Sequence, residues 1–149
     1  MSHRTKSNKI SFDTKIITGI AETISRKEKM PKKQILSGRV VIVSSIVKDQ
    51  SIRKLMQNIE VEERVSRALI NKTLNWLDAK IIQHKNDDIE KGKQIRKKYK
   101  NSIDKIDASI IYHLKREKVS LVITTDHKFK NVAQREGLNV LLLCSLSDF

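Results

Sequence analysis

The stretch Ser102–Phe129, SIDKIDASIIYHLKREKVSLVITTDHKF, decides how this chain reads. It predicts a helix, a turn and a buried strand. On a helix, Ile103, Asp107, Ile110 and Leu114 share one face, because they are spaced by four, three and four residues. The remaining positions carry Lys105, Lys115, Arg116 and Lys118, so the shared face is expected against the core. A carboxylate set into an apolar stripe is costly unless something pairs with it, which makes Asp107 a candidate functional residue. After the helix, Leu121, Val122 and Ile123 form the continuous apolar run of a strand buried on both faces. Thr124, Thr125 and Asp126 follow. Ligand chemistry in open α/β sheets gathers at the carboxyl ends of strands, and Asp126 is expected there.

Upstream, Lys9–Phe12 suits a first strand with Asp13 at its carboxyl end, although Asp13-Thr14 also suits a helix N-cap. Ile16, Ile17, Ile20 and Ile24 then make a helical stripe that ends in the charged run Arg26–Lys33 and at Pro31. A second buried strand is expected over Arg39–Val43. Ser44 or Ser45 would cap the helix that carries Ile52, Leu55, Met56 and Ile59. A further helix, about Glu60 to Leu77, is expected to turn Val65, Leu69 and Trp76 toward the core. Lys80–Ile82 reads as a short edge strand and Asn86–Lys100 as a basic helix begun by Asp87 or Asp88. Lys128–Glu136 with Gly137 as its cap, and Leu138–Leu143 as a final strand, complete the chain. Alternating strands and helices argue for a parallel sheet. All such strands end at one edge, so Asp13 and Asp126 are expected to meet despite their separation in sequence.

Two motifs then make the reading specific. Asp-Ala-Ser-Ile-Ile on a helix precedes a strand ending Thr-Thr-Asp-His-Lys-Phe, and Phe12-Asp13-Thr14 opens an apolar helix. Together they resemble the PIN domain, a family of small metal-dependent ribonucleases that includes the toxins of VapBC toxin–antitoxin systems. The resemblance spans roughly Lys9 to Leu143. It implies an α/β fold of three layers, α/β/α, around a central mostly parallel sheet, as one domain over 9–149 behind a basic flexible tail of residues 1–8. It implies Asp13, Asp107 and Asp126 as catalytic, metal-binding acids, and Mg²⁺ or Mn²⁺ as cofactor, since ligands that are all oxygen suit hard ions. Asp49 and Asp104 are supplementary metal-ligand candidates, and Thr14 and Thr124 supporting residues. The family's usual fourth acid, a glutamate on the helix after the second strand, aligns with Gln50 here. Lys128 stands where the family often has an acid before the phenylalanine. With Lys15 and the basic-run residues Lys93, Lys97 and Lys98, it is a candidate nucleic-acid contact.

Composition bears on the same point. In 149 residues, 31 basic against 17 acidic side chains give a net charge of +14, which favours a polyanionic partner, nucleic acid before membrane. Cys144 is the only cysteine, so no intramolecular disulfide and no thiolate zinc site can form. His3, His84, His113 and His127 show no close metal-ligand pairing in sequence. The longest apolar run, Val140–Cys144, is far too short to span a membrane, and a cytoplasmic location is expected. The function expected is a Mg²⁺/Mn²⁺-dependent endoribonuclease acting on single-stranded or structured RNA, with DNA as another substrate class. Its alternative is a degenerate PIN-like domain, without a complete acid set, that binds nucleic acid or protein. A receiver-like phosphoacceptor fits poorly, because no adjacent acid pair follows the first strand and no Asp ends the second. The resemblance also implies an antitoxin-like protein partner and a homodimer supported by apolar residues of the second and third helices.

Overall fold

The computed structural model describes residues 8–31, 36–100 and 102–145. The expected tail therefore lies, apart from Asn8, outside the described residues, as does part of the charged run after the first helix. Eleven elements follow one another: β1 (Lys9–Phe12), α1 (Thr14–Ser25), β2 (Val40–Ser44), α2 (Ser45–Ile59), α3 (Glu63–Trp76), β3 (Lys80–Ile82), α4 (Asn86–Lys98), α5 (Lys105–Arg116), β4 (Leu121–Thr124), α6 (His127–Arg135) and β5 (Val140–Leu142). The strands form one sheet in the order β3-β2-β1-β4-β5, and every pairing is parallel. Six helices flank the sheet, giving the three-layer α/β/α arrangement.

The strand order positions the site. The chain steps outward from β1 to β2 and β3, then returns to the other side of β1 for β4 and β5. The topology therefore reverses between β1 and β4, where α/β sheets open a crevice beyond their carboxyl ends. Phe12 pairs with Ile123, and the Asp13 N–H continues the ladder by donating to the Ile123 carbonyl at 3.1 Å. This register sets Asp13 beside Thr124, two residues before Asp126.

The core is aliphatic. Ile10, Ile16, Ile17, Ile20, Leu55, Ile70, Ile110, Ile111, Leu114 and Ile123 are all essentially inaccessible. Burial of such a side chain is worth about 1.5–3 kcal/mol. The α5 face is as expected: Ile103, Ile110 and Leu114 are buried, with Asp107 partly buried among them.

Helix α3 departs from its expected orientation. Val65 is 39% exposed, and Ser66, Ile70, Thr73 and Leu74 take the buried face, with Leu69 and Trp76 packed at its margins. Hydroxyl residues can occupy this face because each is satisfied locally. Ser66 Oγ donates to the Ile52 carbonyl of α2 at 2.6 Å, and Thr73 Oγ1 to the Leu69 carbonyl at 2.9 Å. Their small size then lets α3 lie close to α2. On α4, Gly92 does similar work against α5: a Cβ placed on it would lie 2.6 Å from Ser109 Oγ and 2.8 Å from Ser109 Cα.

Candidate active site

One cleft opens at the reversal point, with a volume of about 330 Å³. Its acids are Asp13, Asp104, Asp107 and Asp126; Thr14, Lys15, Gln50 and Lys54 also line it, over a floor that includes Ile110 and Phe129. Three of the acids are helix N-caps. Asp13 Oδ1 accepts from the Ile16 N–H at 3.1 Å, and Asp104 Oδ1 from the Asp107 N–H at 2.7 Å. Asp126 Oδ1 accepts from the Lys128 and Phe129 N–H groups at 2.9 and 3.3 Å. Capping and lining the cleft are therefore not alternatives here: each carboxylate uses one oxygen to hold a helix start. The positive ends of α1, α5 and α6 consequently face a common space, which suits anions.

Asp13 is the most enclosed of the group. Thr124 Oγ1 donates to its second oxygen, and Thr124 Oγ1 in turn accepts from the Asp126 N–H at 2.9 Å. Thr124 thus links the two strand-end acids. Burial pushes the Asp13 carboxyl above its usual range, and the neighbouring Asp126 adds to this, against the hydrogen bonds from Thr124 and Ile16 and the charge of Lys15. Asp107 is displaced further, up to about 7, by burial first and then by the charges of Asp104, Asp126 and Asp13. The like charges of the cleft thus act on one another across its width. Lys15 Nζ lies 3.8 Å from Asp126 Oδ2, and because Lys15 is exposed the pair contributes little to stability.

Helix α2 supplies the opposite wall through Gln50, Lys54 and Asn58, spaced i, i+4, i+8 on one face. Thr14 Oγ1 donates to Gln50 Oε1. Asp49, the neighbouring acid, lies on a different side of the helix from Gln50. It is exposed and outside the cleft lining, because one residue is about 100° around the helix. Lys54 and Asn58 join the candidate residues, and their spacing from Gln50 is the sequence signal that marks them.

The lysines separate into different settings. Lys128 is exposed and outside the lining, and meets the site through its backbone N–H. Lys93 and Lys97 line a shallow groove with Arg96, Lys105 and Glu90, and Glu90 pairs with Lys93 at 3.4 Å. Lys98 faces elsewhere: its Nζ is 2.9 Å from Glu136 Oε2, and Glu136 also pairs with Lys115 at 3.1 Å. Burial works to raise Glu136, yet Tyr99, Lys98 and Lys115 together hold it down at about 2. The histidines also differ from expectation. Folding brings His84 and His113 together with Asp88, and among the described residues these form the set of His, Cys, Asp or Glu with ligand atoms all within 4.8 Å.

Fold and site together define a doubly wound α/β domain with an acid-lined cleft at its switch point. The sequence profile of the PIN domain matches residues 10–135, and the chain belongs to the PIN domain family. Its fold is similar to that of VapC20 from Mycobacterium tuberculosis, a sarcin–ricin loop cleaving toxin, at 14% identity and a TM-score of 0.64 over 82% of this chain and 93% of that one. It is also similar to VapBC2 from Rickettsia felis, solved with a promoter DNA fragment, at 15% identity and a TM-score of 0.65 over 90% and 98%. A FitAB structure bound to a DNA fragment gives 17% identity and a TM-score of 0.56 over 89% and 94%. At such identities the likeness is one of fold. No curated protein matches the chain in sequence. Among the described residues, no helix is long and apolar enough to cross a membrane.

Proposed function

We propose that the protein is a metal-dependent endoribonuclease of PIN type, with Asp13, Asp107 and Asp126 as its catalytic acids. The observation that supports this best is the convergence of Asp13, Asp104, Asp107 and Asp126 on one cleft at the switch point, where burial first and the neighbouring charges second lift Asp107 to about 7. Carboxylates gathered this way repel one another unless a cation sits among them. The donor set fits such an ion: the lining offers carboxylate and other oxygen donors, with no histidine or cysteine. That chemistry suits Mg²⁺ or Mn²⁺. Asp13, Asp107 and Asp126 would hold the ion, with Asp104 as an auxiliary. When bound, it supplies an activated water and neutralises the leaving oxygen.

The chain's own residues prepare the rest. Thr124 fixes Asp13 and the α6 N–H groups fix Asp126, so both carboxylates are oriented before substrate arrives. Lys15 and Lys54, which line the same cleft as the acids, offer cations to substrate phosphates. Lys93, Arg96, Lys97 and Lys105 extend the basic surface beyond the cleft. The relatives solved as VapBC2 and FitAB hold DNA fragments, and VapC20 cleaves the sarcin–ricin loop. The loop-cleaving neighbour supports RNA as substrate and the DNA-bound structures support a nucleic-acid-binding assembly, and we carry over an antitoxin-like protein as partner and a homodimer as the assembly.

Asp13→Asn tests the enzyme reading. The amide keeps the N-cap acceptor for Ile16 while removing a charged ligand, so the fold should persist and Mn²⁺-dependent cleavage of single-stranded RNA should vanish. RNA binding should hold or tighten slightly, since a negative charge leaves a surface facing phosphates. Gln50→Glu should raise activity by adding an acid to the α2 wall. A wild-type protein inactive with Mg²⁺ and Mn²⁺, and still inactive as Gln50→Glu, would instead mark a binding module. Activity surviving Asp13→Asn at full rate would move the chemistry elsewhere.

The basic groove has its own test. Affinity for single-stranded RNA should fall with salt by about 0.7 log units per log unit of salt for each phosphate neutralised. Lys93→Glu with Lys97→Glu should flatten that slope by about 1.4, whereas Lys98→Glu should change it less, because Lys98 lies outside the groove. Equal effects from both variants would show that the groove has no special part in binding.

A further inference from the structure

We infer that His84, Asp88 and His113 form a second metal site, for a borderline divalent ion of the zinc, cobalt or nickel class, away from the acid cleft. It stands whether or not the cleft cleaves RNA. His84 follows β3, Asp88 lies in the first turn of α4 and His113 lies in the last turn of α5. Asp88 Oδ2 is 3.4 Å from His113 Nδ1 and 3.8 Å from His84 Nδ1, and the three ligand atoms lie within 4.8 Å of one another. Ligands bonded at about 2.0–2.1 Å around a tetrahedral ion are separated by roughly 3.4 Å, so small side-chain adjustments bring the set to coordination distance. Two imidazoles and one carboxylate favour this ion class over Mg²⁺.

A second observation points to a missing occupant. His84 Nδ1, the nitrogen that faces Asp88 Oδ2, is buried without a hydrogen-bond partner. Buried imidazole nitrogens in a folded protein normally find one. The two rings stack with centroids 5.7 Å apart and 17° between planes, which keeps both on the same side of Asp88. Burial lowers both histidines below their usual range, against the pull of Asp88 and with help from Arg116, so their lone pairs are free at neutral pH.

Arg116 shows where the cation belongs. Its Nη2 is 2.8 Å from Asp88 Oδ2 and 3.0 Å from His113 Nδ1. A guanidinium can only donate, so His113 Nδ1 meets it with a lone pair. Arg116 is thus the stand-in for the ion. It has anchors that survive displacement of Nη2: Nε to Asp88 Oδ1 at 2.8 Å and Nη1 to Glu117 Oε2 at 2.9 Å. The Lys85 N–H, 2.9 Å from Asp88 Oδ2, keeps the carboxylate aimed inward.

Zn²⁺ titrated calorimetrically into the metal-free full chain, with Co²⁺ absorption as a second readout, tests this. One Zn²⁺ should bind at the histidines and persist in Asp107→Asn, a background that removes any second Zn²⁺ held by the acid cleft. His84→Gln and His113→Gln should each weaken it by at least the roughly 10–100-fold that follows loss of an outer-shell partner at a metal site. Arg116→Gln should tighten it, because a competing cation leaves. If His113→Gln does not fold, imidazole ¹⁵N spectra of the wild type decide: Zn²⁺ should shift the Nδ1 resonances of His84 and His113 and spare His127. Zn²⁺ affinity unchanged in His84→Gln, abolished by Asp107→Asn, or absent altogether would each overturn the proposal.

Discussion

Asp107→Asn should leave metal-dependent RNA cleavage at background and, in the same protein, stabilise the fold at pH 8. The first effect follows from losing a charged ligand in the proposed site. The second follows from the strain on that ligand. The Asp107 carboxyl is raised from 3.8 to about 7 in the folded protein, by burial and by Asp104, Asp126 and Asp13. Between those values the folded state binds more protons than the unfolded state, so stability falls as pH rises. The contribution is fully present below about 4 and is lost as pH passes through about 7. Once the group is ionised in both states, it opposes folding by an amount on the order of a few kcal/mol. The amide carries no charge at any pH, so the variant's melting temperature should exceed that of the wild type at pH 8 and match it near pH 4. Mn²⁺ should close the gap by stabilising the wild type alone. A variant less stable than the wild type at pH 8 would mean that Asp107 does not confront like charges.

Gly92→Ala should be the most damaging single methyl in the described structure. Alanine is the better helix former by about 1 kcal/mol, so an isolated α4 would gain from the change. The added Cβ, however, would meet Ser109 Oγ at 2.6 Å and Ser109 Cα and N at 2.8 Å each. Only the hydroxyl can rotate away; the backbone contacts require α5 to shift. Overpacking of this kind costs about 1–3 kcal/mol even in forgiving cores, and a net loss of about 2 kcal/mol is expected. Ser109→Ala combined with Gly92→Ala should recover little, because the backbone atoms remain. Asp107 lies two residues from Ser109, so activity should fall along with the denaturant midpoint. An unchanged midpoint would show that the α4–α5 contact is looser than its geometry implies.

Much of this architecture was legible in the chain because its signals are local and redundant. Ile103, Ile110 and Leu114 mark a core face by spacing alone, and Leu121–Ile123 mark a central strand by being apolar without alternation. The meeting of Asp13 with Asp126 followed from parallel topology, which sends every strand end to one edge. Other features depend on contacts between distant segments. Val65 looked like a core residue, but Ser66 and Thr73 took the buried face, because carbonyls of α2 and α3 satisfy their hydroxyls. The His84–His113 pair joins the end of β3 to the last turn of α5, and only the i, i+4 spacing of His84 and Asp88 hinted at it. Lys98 read as part of one continuous basic stripe; its pairing with Glu136, across 38 positions, could not be read from the stripe itself.

The pairing of β1 with β4 also sets when the cleft can exist during synthesis. Asp13 leaves the ribosome early, but Thr124, which clamps it, and Asp126 beside it come more than a hundred residues later. Until β4 has emerged and slotted in beside β1, the half-made chain has the first acid without its clamp and without the strand-end acid opposite. Domains tend to fold as units as the chain is made, so premature termination anywhere before Thr124 should yield an inert product. The growing chain therefore lacks the finished cleft until the order of strands along the sequence has laid β4 beside β1.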